Sequence, residues 1–121
     1  MSVLSLDHVQ IAAPPGCEAE ARRFFGALIG LEELTKPGAL AARGGVWFSC
    51  GPQQLHVGVE DEFAPARKAH PAFAVRDLDE LRGRLARADV TVRDDDAISG
   101  MRRFYADDPF GNRIEFVEAG A

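Results

Sequence analysis

The sequence is poor in the residues that mark several protein classes. It has two cysteines, Cys17 and Cys50, among 121 residues. That is too few for a disulfide framework, so free thiols in the cytoplasm are the expectation. There is no basic excess: 14 Lys and Arg stand against 19 Asp and Glu, for a formal net charge of -5. Binding nucleic acid by neutralising its phosphates is therefore not expected. No apolar run approaches the roughly 20 residues of a membrane span. The opening MSVLSLDHVQIAA has no basic region, and Asp7 and His8 interrupt its apolar stretch, so it does not read as a signal peptide. Aromatic residues are 8% of the chain, with one Trp and one Tyr, and histidines number three. What remains is an ordinary globular composition, 46% hydrophobic and 27% charged, sized for a single domain.

The chain repeats an order of elements. H-V-Q-I-A-A-P begins at His8 and is followed by E-A-E-A-R-R-F-F-G-A-L; H-P-A-F-A-V-R-D begins at His70 and is followed by L-D-E-L-R-G-R-L. Each run reads as a short strand leading to an amphipathic helix. The first helix is expected over about Glu18–Ile29, with Ala21, Phe24, Phe25 and Leu28 on one face and Gly30 ending it. The second is expected over about Leu78–Ala88, with Leu78, Leu81, Leu85 and Ala88 as its stripe, Asp77 as N-cap and Glu80 completing a capping box. Strands follow each helix: Gly45–Cys50 and Gln54–Glu60 around a Gly-Pro turn, then Met101–Ala106 and Arg113–Glu118 around D-D-P-F-G-N. Shorter strands are expected near Leu34–Thr35 and Val90–Arg93, and Asp61–Ala69 reads as a linker. The result is β-α-β-β-β written twice, over about 1–62 and 66–118.

Alternation along a strand sends neighbouring side chains to opposite faces. Val9 and Ile11 then oppose His8, Gln10 and Ala12; Leu55, Val57 and Val59 oppose His56 and Gly58; Phe73 and Val75 oppose His70, Ala72 and Ala74; Ile114 and Phe116 oppose Arg113, Glu115 and Val117. All three histidines and Glu115 thus fall on the faces away from the helices. Imidazoles with a carboxylate suit Zn, Ni, Fe, Co or Mn, and two histidines plus one carboxylate leave positions open for substrate. Taken singly, each of the four is equally an ordinary strand residue; their coincidence makes them candidate ligands. Trp47 and Tyr105 lie on expected strands, where they serve either as pocket wall or as core. Arg103 and Arg113 are candidates to hold an anionic substrate, or are solvated strand arginines. Neither cysteine has a histidine nearby in sequence to activate it.

On L-D-H-V at Leu6–Val9, A-R-R-F-F-G-A-L-I-G-L at Ala21–Leu31, H-P-A-F-A-V-R-D-L-D at His70–Asp79 and F-Y-A-D-D-P-F-G-N-R-I-E-F at Phe104–Phe116, the chain resembles the vicinal oxygen chelate superfamily. That group contains glyoxalase I, extradiol dioxygenases, and the fosfomycin and bleomycin resistance proteins. The resemblance implies an α+β fold: two βαβββ modules in one domain, forming a curved mixed sheet with helices on its outer face and a metal in the concave side. It also implies a homodimer whose shared cleft takes ligands from both chains. His8, His70 and Glu115 match the His/His/Glu set of the fosfomycin-modifying and dioxygenase branches. His56 falls where glyoxalase I typically carries a glutamate, which argues against lactoylglutathione chemistry.

The function expected is a metal-dependent enzyme on a small oxygen-chelating substrate: a lyase, isomerase, dioxygenase or thiol transferase. Glu115 is its candidate proton-transfer group. The alternative is a metal-free protein that sequesters a drug or metabolite, as in the bleomycin-resistance branch.

Overall fold

The structure is a computed structural model, and it describes residues 2–120. The chain divides into two compact units, one ending at Ala64 and the next beginning at Pro65. Each carries a four-stranded mixed sheet. No helix among the described residues is long and apolar enough to cross a membrane.

In the first unit the strands are β1 (His8–Ala13), β2 (Glu32–Leu34), β3 (Val46–Cys50) and β4 (Gln53–Val59), in the order β1-β4-β3-β2. β1 runs parallel to β4 with His8 opposite Gln54 and Gln10 opposite His56; β3 runs antiparallel to β4 with Trp47 opposite His56. Helix α1 (Glu18–Ala21) continues as wider turns over Arg22–Leu28, in which the Ile29 N–H reaches back five residues to the Phe24 carbonyl. Ala21, Phe24 and Phe25 are buried as the 3.6-residue stripe requires, but Leu28 is only half-buried. Winding with more residues per turn carries later positions off that stripe. Phe25 packs edge-on to Phe24 and, 6.0 Å between centroids, against Phe48 of β3. Gly30, at φ +95°, ends the helix as expected.

A short helix, α2 (Gly38–Ala41), stands between β2 and β3, in a stretch without a periodic apolar pattern. β3 starts from Gly45, whose φ is +87° and whose Cα lies so close to β4 that a Cβ there would sit 2.2 Å from the Val57 carbonyl oxygen. Val9, assigned by alternation to the apolar face, is 37% exposed. It sits on the edge strand, where cover from the helix side is incomplete.

In the second unit β5 (Ala72–Val75), β6 (Val92–Asp94), β7 (Arg103–Asp107) and β8 (Arg113–Glu118) are ordered β5-β8-β7-β6, repeating the first arrangement. Helix α3 (Leu78–Arg87) starts at Asp77, whose side chain accepts from the Glu80 N–H at 3.1 Å, and buries Leu78, Leu81 and Leu85. It ends before Asp89, at φ +60°. Phe73, Phe104 and Phe116 form the aromatic core, with centroids 5.8 and 5.2 Å apart; burying each ring is worth roughly 1.5–3 kcal/mol.

The β7–β8 turn is built around one carboxylate. Asp108, 5% exposed, accepts from the Phe110 N–H (2.9 Å), the Asn112 N–H (2.8 Å) and the Asn112 amide Nδ2 (2.9 Å). Gly111 takes φ +91°. The turn fixes where β8 begins, and so which face Glu115 occupies.

Candidate metal centre

The structure arranges the four candidate ligands as two pairs, one in each unit. In the first unit His8 and His56 stack, 4.1 Å between ring centroids and 15° between planes. Trp47 covers the other face of His56 at 3.9 Å and 3°. The parallel register explains the order: Trp47 is directly across from His56, while His8 is one diagonal step away on β1.

The Asp7 carboxylate accepts from Nδ1 of His8 at 2.9 Å, so that nitrogen carries the proton and Nε2 keeps a free lone pair. His56 is different. It is 5% exposed, and its Nε2 donates to Gln54 Oε1 at 2.8 Å. Burial pushes its pKa below the ordinary value, which keeps the ring neutral.

In the second unit His70 precedes β5 instead of lying within it, since pairing begins at Ala72 opposite Glu115. Pro71 cannot donate to a ladder, but its carbonyl accepts from the Glu115 N–H at 3.0 Å. The Lys68 carbonyl accepts from Nδ1 of His70 at 3.0 Å, and Nε2 of His70 faces Oε1 of Glu115 at 2.8 Å. Oε2 of Glu115 accepts from Arg103 at 3.1 Å. Burial raises the Glu115 pKa, but the hydrogen bonds from His70 and Arg103 outweigh it and hold the carboxyl below its ordinary value. Tyr105, directly across from Glu115 on β7, stands edge-on to His70 at 5.4 Å.

Arg103 spends its terminal nitrogens within the chain, one on Glu115 and the other on Asp95 at 3.2 Å. It thereby anchors the Glu115 carboxylate. Arg113 lies over the Tyr105 ring at 5.7 Å. Trp47 and Tyr105 are both half-buried and lie directly across from His56 and Glu115 respectively. Burial pushes both cysteine thiols up, which leaves them protonated and unsuited to nucleophilic work.

The donor chemistry fits a divalent ion. His8 has Nδ1 fixed by an oxygen acceptor and no partner on Nε2 among the described residues; His70 has Nδ1 fixed by the Lys68 carbonyl and Nε2 donating to Glu115, a proton that an ion would have to displace. His70 Nε2 and Glu115 Oε1 are spaced as neighbouring ligands of one ion with bonds of about 2.0–2.2 Å. His56 fits less well, because Nε2 is engaged and both ring faces are covered. No group of three or more His, Cys, Asp or Glu side chains placed to hold one ion occurs among the described residues. Asp7, Gln54 and the Lys68 carbonyl are the supporting groups that the sequence reading missed. Alternation alone put Gln54 on the face of His56, two positions away.

The fold and this pattern of imidazoles and carboxylate define the class. The chain belongs to the glyoxalase/bleomycin resistance protein/dioxygenase superfamily, whose family profile matches residues 5–116. It is similar over 99% of its length to 98% of a glyoxalase family protein from Bacillus anthracis, at 52% identity and a TM-score of 0.95. It is 25% identical to lactoylglutathione lyase from Agrobacterium tumefaciens, over 98% of this chain and 96% of that one, with a TM-score of 0.74. A genomically encoded fosfomycin resistance protein from Listeria monocytogenes shares the fold at 18% identity and a TM-score of 0.75, over 98% of this chain and 95% of that one. Among curated proteins none matches in sequence.

Proposed function

We propose that the protein is a metal-dependent enzyme acting on a small molecule that offers two neighbouring oxygens. The observation that carries this reading is the paired orientation of His8 and His70. Each has Nδ1 tied to an oxygen, and Nε2 of His70 donates to a carboxylate that Arg103 also holds ionised, so a metal would enter between His70 and Glu115 by displacing that one proton. His8, His70 and Glu115 would be the ligands. His56, stacked beneath His8 and capped by Trp47, would hold the His8 ring in position or complete the set by releasing Gln54. A divalent ion bound by these groups supplies Lewis acidity to a substrate carbonyl or enolate.

The remaining chemistry belongs to the side chains. Arg103 anchors Oε2 of Glu115, so Oε1 is the oxygen that would receive a substrate proton and return it. Trp47 and Tyr105 supply flat apolar surface beside the imidazoles, which orients an organic body and keeps water from it. Each unit holds two of the four candidates, and superfamily members commonly form dimers. The protein is accordingly read as a homodimer in which two copies complete the site, within the reducing cytoplasm.

The test is metal content of protein purified without a histidine tag. The wild type is expected to hold one divalent ion per site, while His8→Ala and Glu115→Ala lose stoichiometric binding and His56→Ala is weakened less. Unchanged metal content in His8→Ala would remove the reading and leave ligand sequestration without metal as the function.

A further inference from the structure

Beside the His56 row of the first unit lies a cavity of about 280 Å³, lined in part by Gln10, Lys36, Leu40, Arg43, Trp47 and Gly58. Gln10 and Trp47 are the two cross-strand neighbours of His56, so the cavity floor adjoins the candidate centre. Its charge is one-sided: two cations and no carboxylate line it. This is unusual in a chain with 19 acidic and 14 basic residues, where many arginines are matched: Arg22 with Glu33, Arg82 with Asp94, Arg93 with Asp107, and Arg102 with Asp79 and Glu118. Lys36, half-buried, donates only to the Gly44 carbonyl, and neither it nor Arg43 makes an ion pair among the described residues. Lys36 and Arg43 flank helix α2, two residues before its start and two after its end. Below them, a Cβ at Gly58 would come within 2.8 Å of the Gln10 amide; only glycine lets that amide lie against β4.

We propose that this cavity is the oxyanion subsite of the substrate, receiving a carboxylate or phosphate group on Lys36, Arg43 and the Gln10 amide, with Trp47 as its apolar wall. The proposal deepens the metal-dependent reading and rests on it for the claim that the anion is the far end of a chelating substrate. Charge-assisted contacts to an oxyanion are the stronger class of hydrogen bond, and two cations without an internal carboxylate lose no ion pair when an anion enters.

Trp47 is the chain's sole tryptophan, so its emission reports on this cavity. The full chain, stripped of metal and dialysed free of chelator, is titrated at constant ionic strength with sodium acetate, with sodium phosphate, and with acetamide as the neutral counterpart of acetate. One oxyanion is expected to give a saturable change at millimolar concentration and acetamide none, and whichever anion binds more tightly identifies the group. Lys36→Gln and Arg43→Gln, checked for native circular dichroism, should each weaken that binding about tenfold. No saturable response, an equal response to acetamide, or unchanged affinity in both variants overturns the proposal. Metal content measured on the same preparations as purified separates the two readings. Lost anion binding with intact metal sinks the subsite alone, and anion binding without any metal sinks the metal reading alone.

Discussion

Replacing Asp108 by alanine should lower the unfolding free energy by about 2–4 kcal/mol. The carboxylate accepts from three donors: the Phe110 N–H, the Asn112 N–H and the Asn112 Nδ2 amide. Asn112 is 7% exposed, so water has little access to replace the lost oxygens, and each hydrogen bond it loses to Asp108 would cost about 1–3 kcal/mol. The Phe110 N–H, in a half-buried residue, regains water and adds little. Against this, burial pushes the Asp108 carboxyl above its ordinary value of 3.8 despite its hydrogen bonds, so deleting the charge returns part of the loss. Asp108→Asn keeps one carbonyl acceptor and should cost about half as much. Urea unfolding of the three proteins measures both values. The pH dependence has a definite sign. A carboxyl raised in the native state binds its proton more tightly there than in the unfolded chain, so native stability falls as pH rises from about the ordinary value through the native one. The wild type's advantage over Asp108→Asn should therefore shrink as pH rises. A loss below about 1 kcal/mol in Asp108→Ala would show that the Pro109–Gly111 backbone specifies the turn by itself. An advantage that grows with pH would refute the account of the burial.

Gly45→Ala should destabilise the first unit by about 2–5 kcal/mol, because it combines a positive φ with a Cβ placed 2.2 Å from the Val57 oxygen; thermal unfolding followed by Trp47 fluorescence checks it. Glu18→Gln should remove a stabilisation of about 1 kcal/mol that exists only when the carboxyl is charged. The Gly45 N–H, donating at 2.7 Å, holds that carboxyl below its ordinary value of 4.5, so the wild type's advantage is full above about pH 4.5 and is lost as pH falls through the native value. With methylglyoxal, glutathione and Zn, Ni, Co or Mn in turn, negligible thioester formation is expected, because His56 provides no carboxylate where glyoxalase I has one. Robust turnover that disappears in Glu115→Gln would show that one carboxylate suffices.

The doubled β-α-β-β-β order was legible from local signals, because each signal acts within a few residues: the Leu78, Leu81 and Leu85 stripe with its Asp77 cap, the Gly-Pro turn at residues 51–52, and the turn residues at 107–112. Alternation likewise placed His8, His56 and Glu115 on the faces opposite their apolar neighbours, since a period of two leaves no other choice once a strand is granted. The wider turns over Arg22–Leu28, which take Leu28 off the helix stripe, and the start of β5 two residues after His70 were not legible. Both depend on where a partner backbone lies, not on the segment itself. The same holds for the site. The sequence supplied the three imidazoles and the carboxylate, but hydrogen-bond partners decide which nitrogen carries a proton, and although Asp7, Gln54 and Lys68 lie within two residues of their histidines, only side-chain packing decides that they are the ones reached. Only the packed structure could therefore give Nε2 of His56 to Gln54, direct Nδ1 of His8 to Asp7, and set Arg103 on Glu115. It also brought Lys36, Arg43 and Gln10, widely spaced in sequence, around a single cavity, because sheet register and a short helix without a periodic signature set those distances.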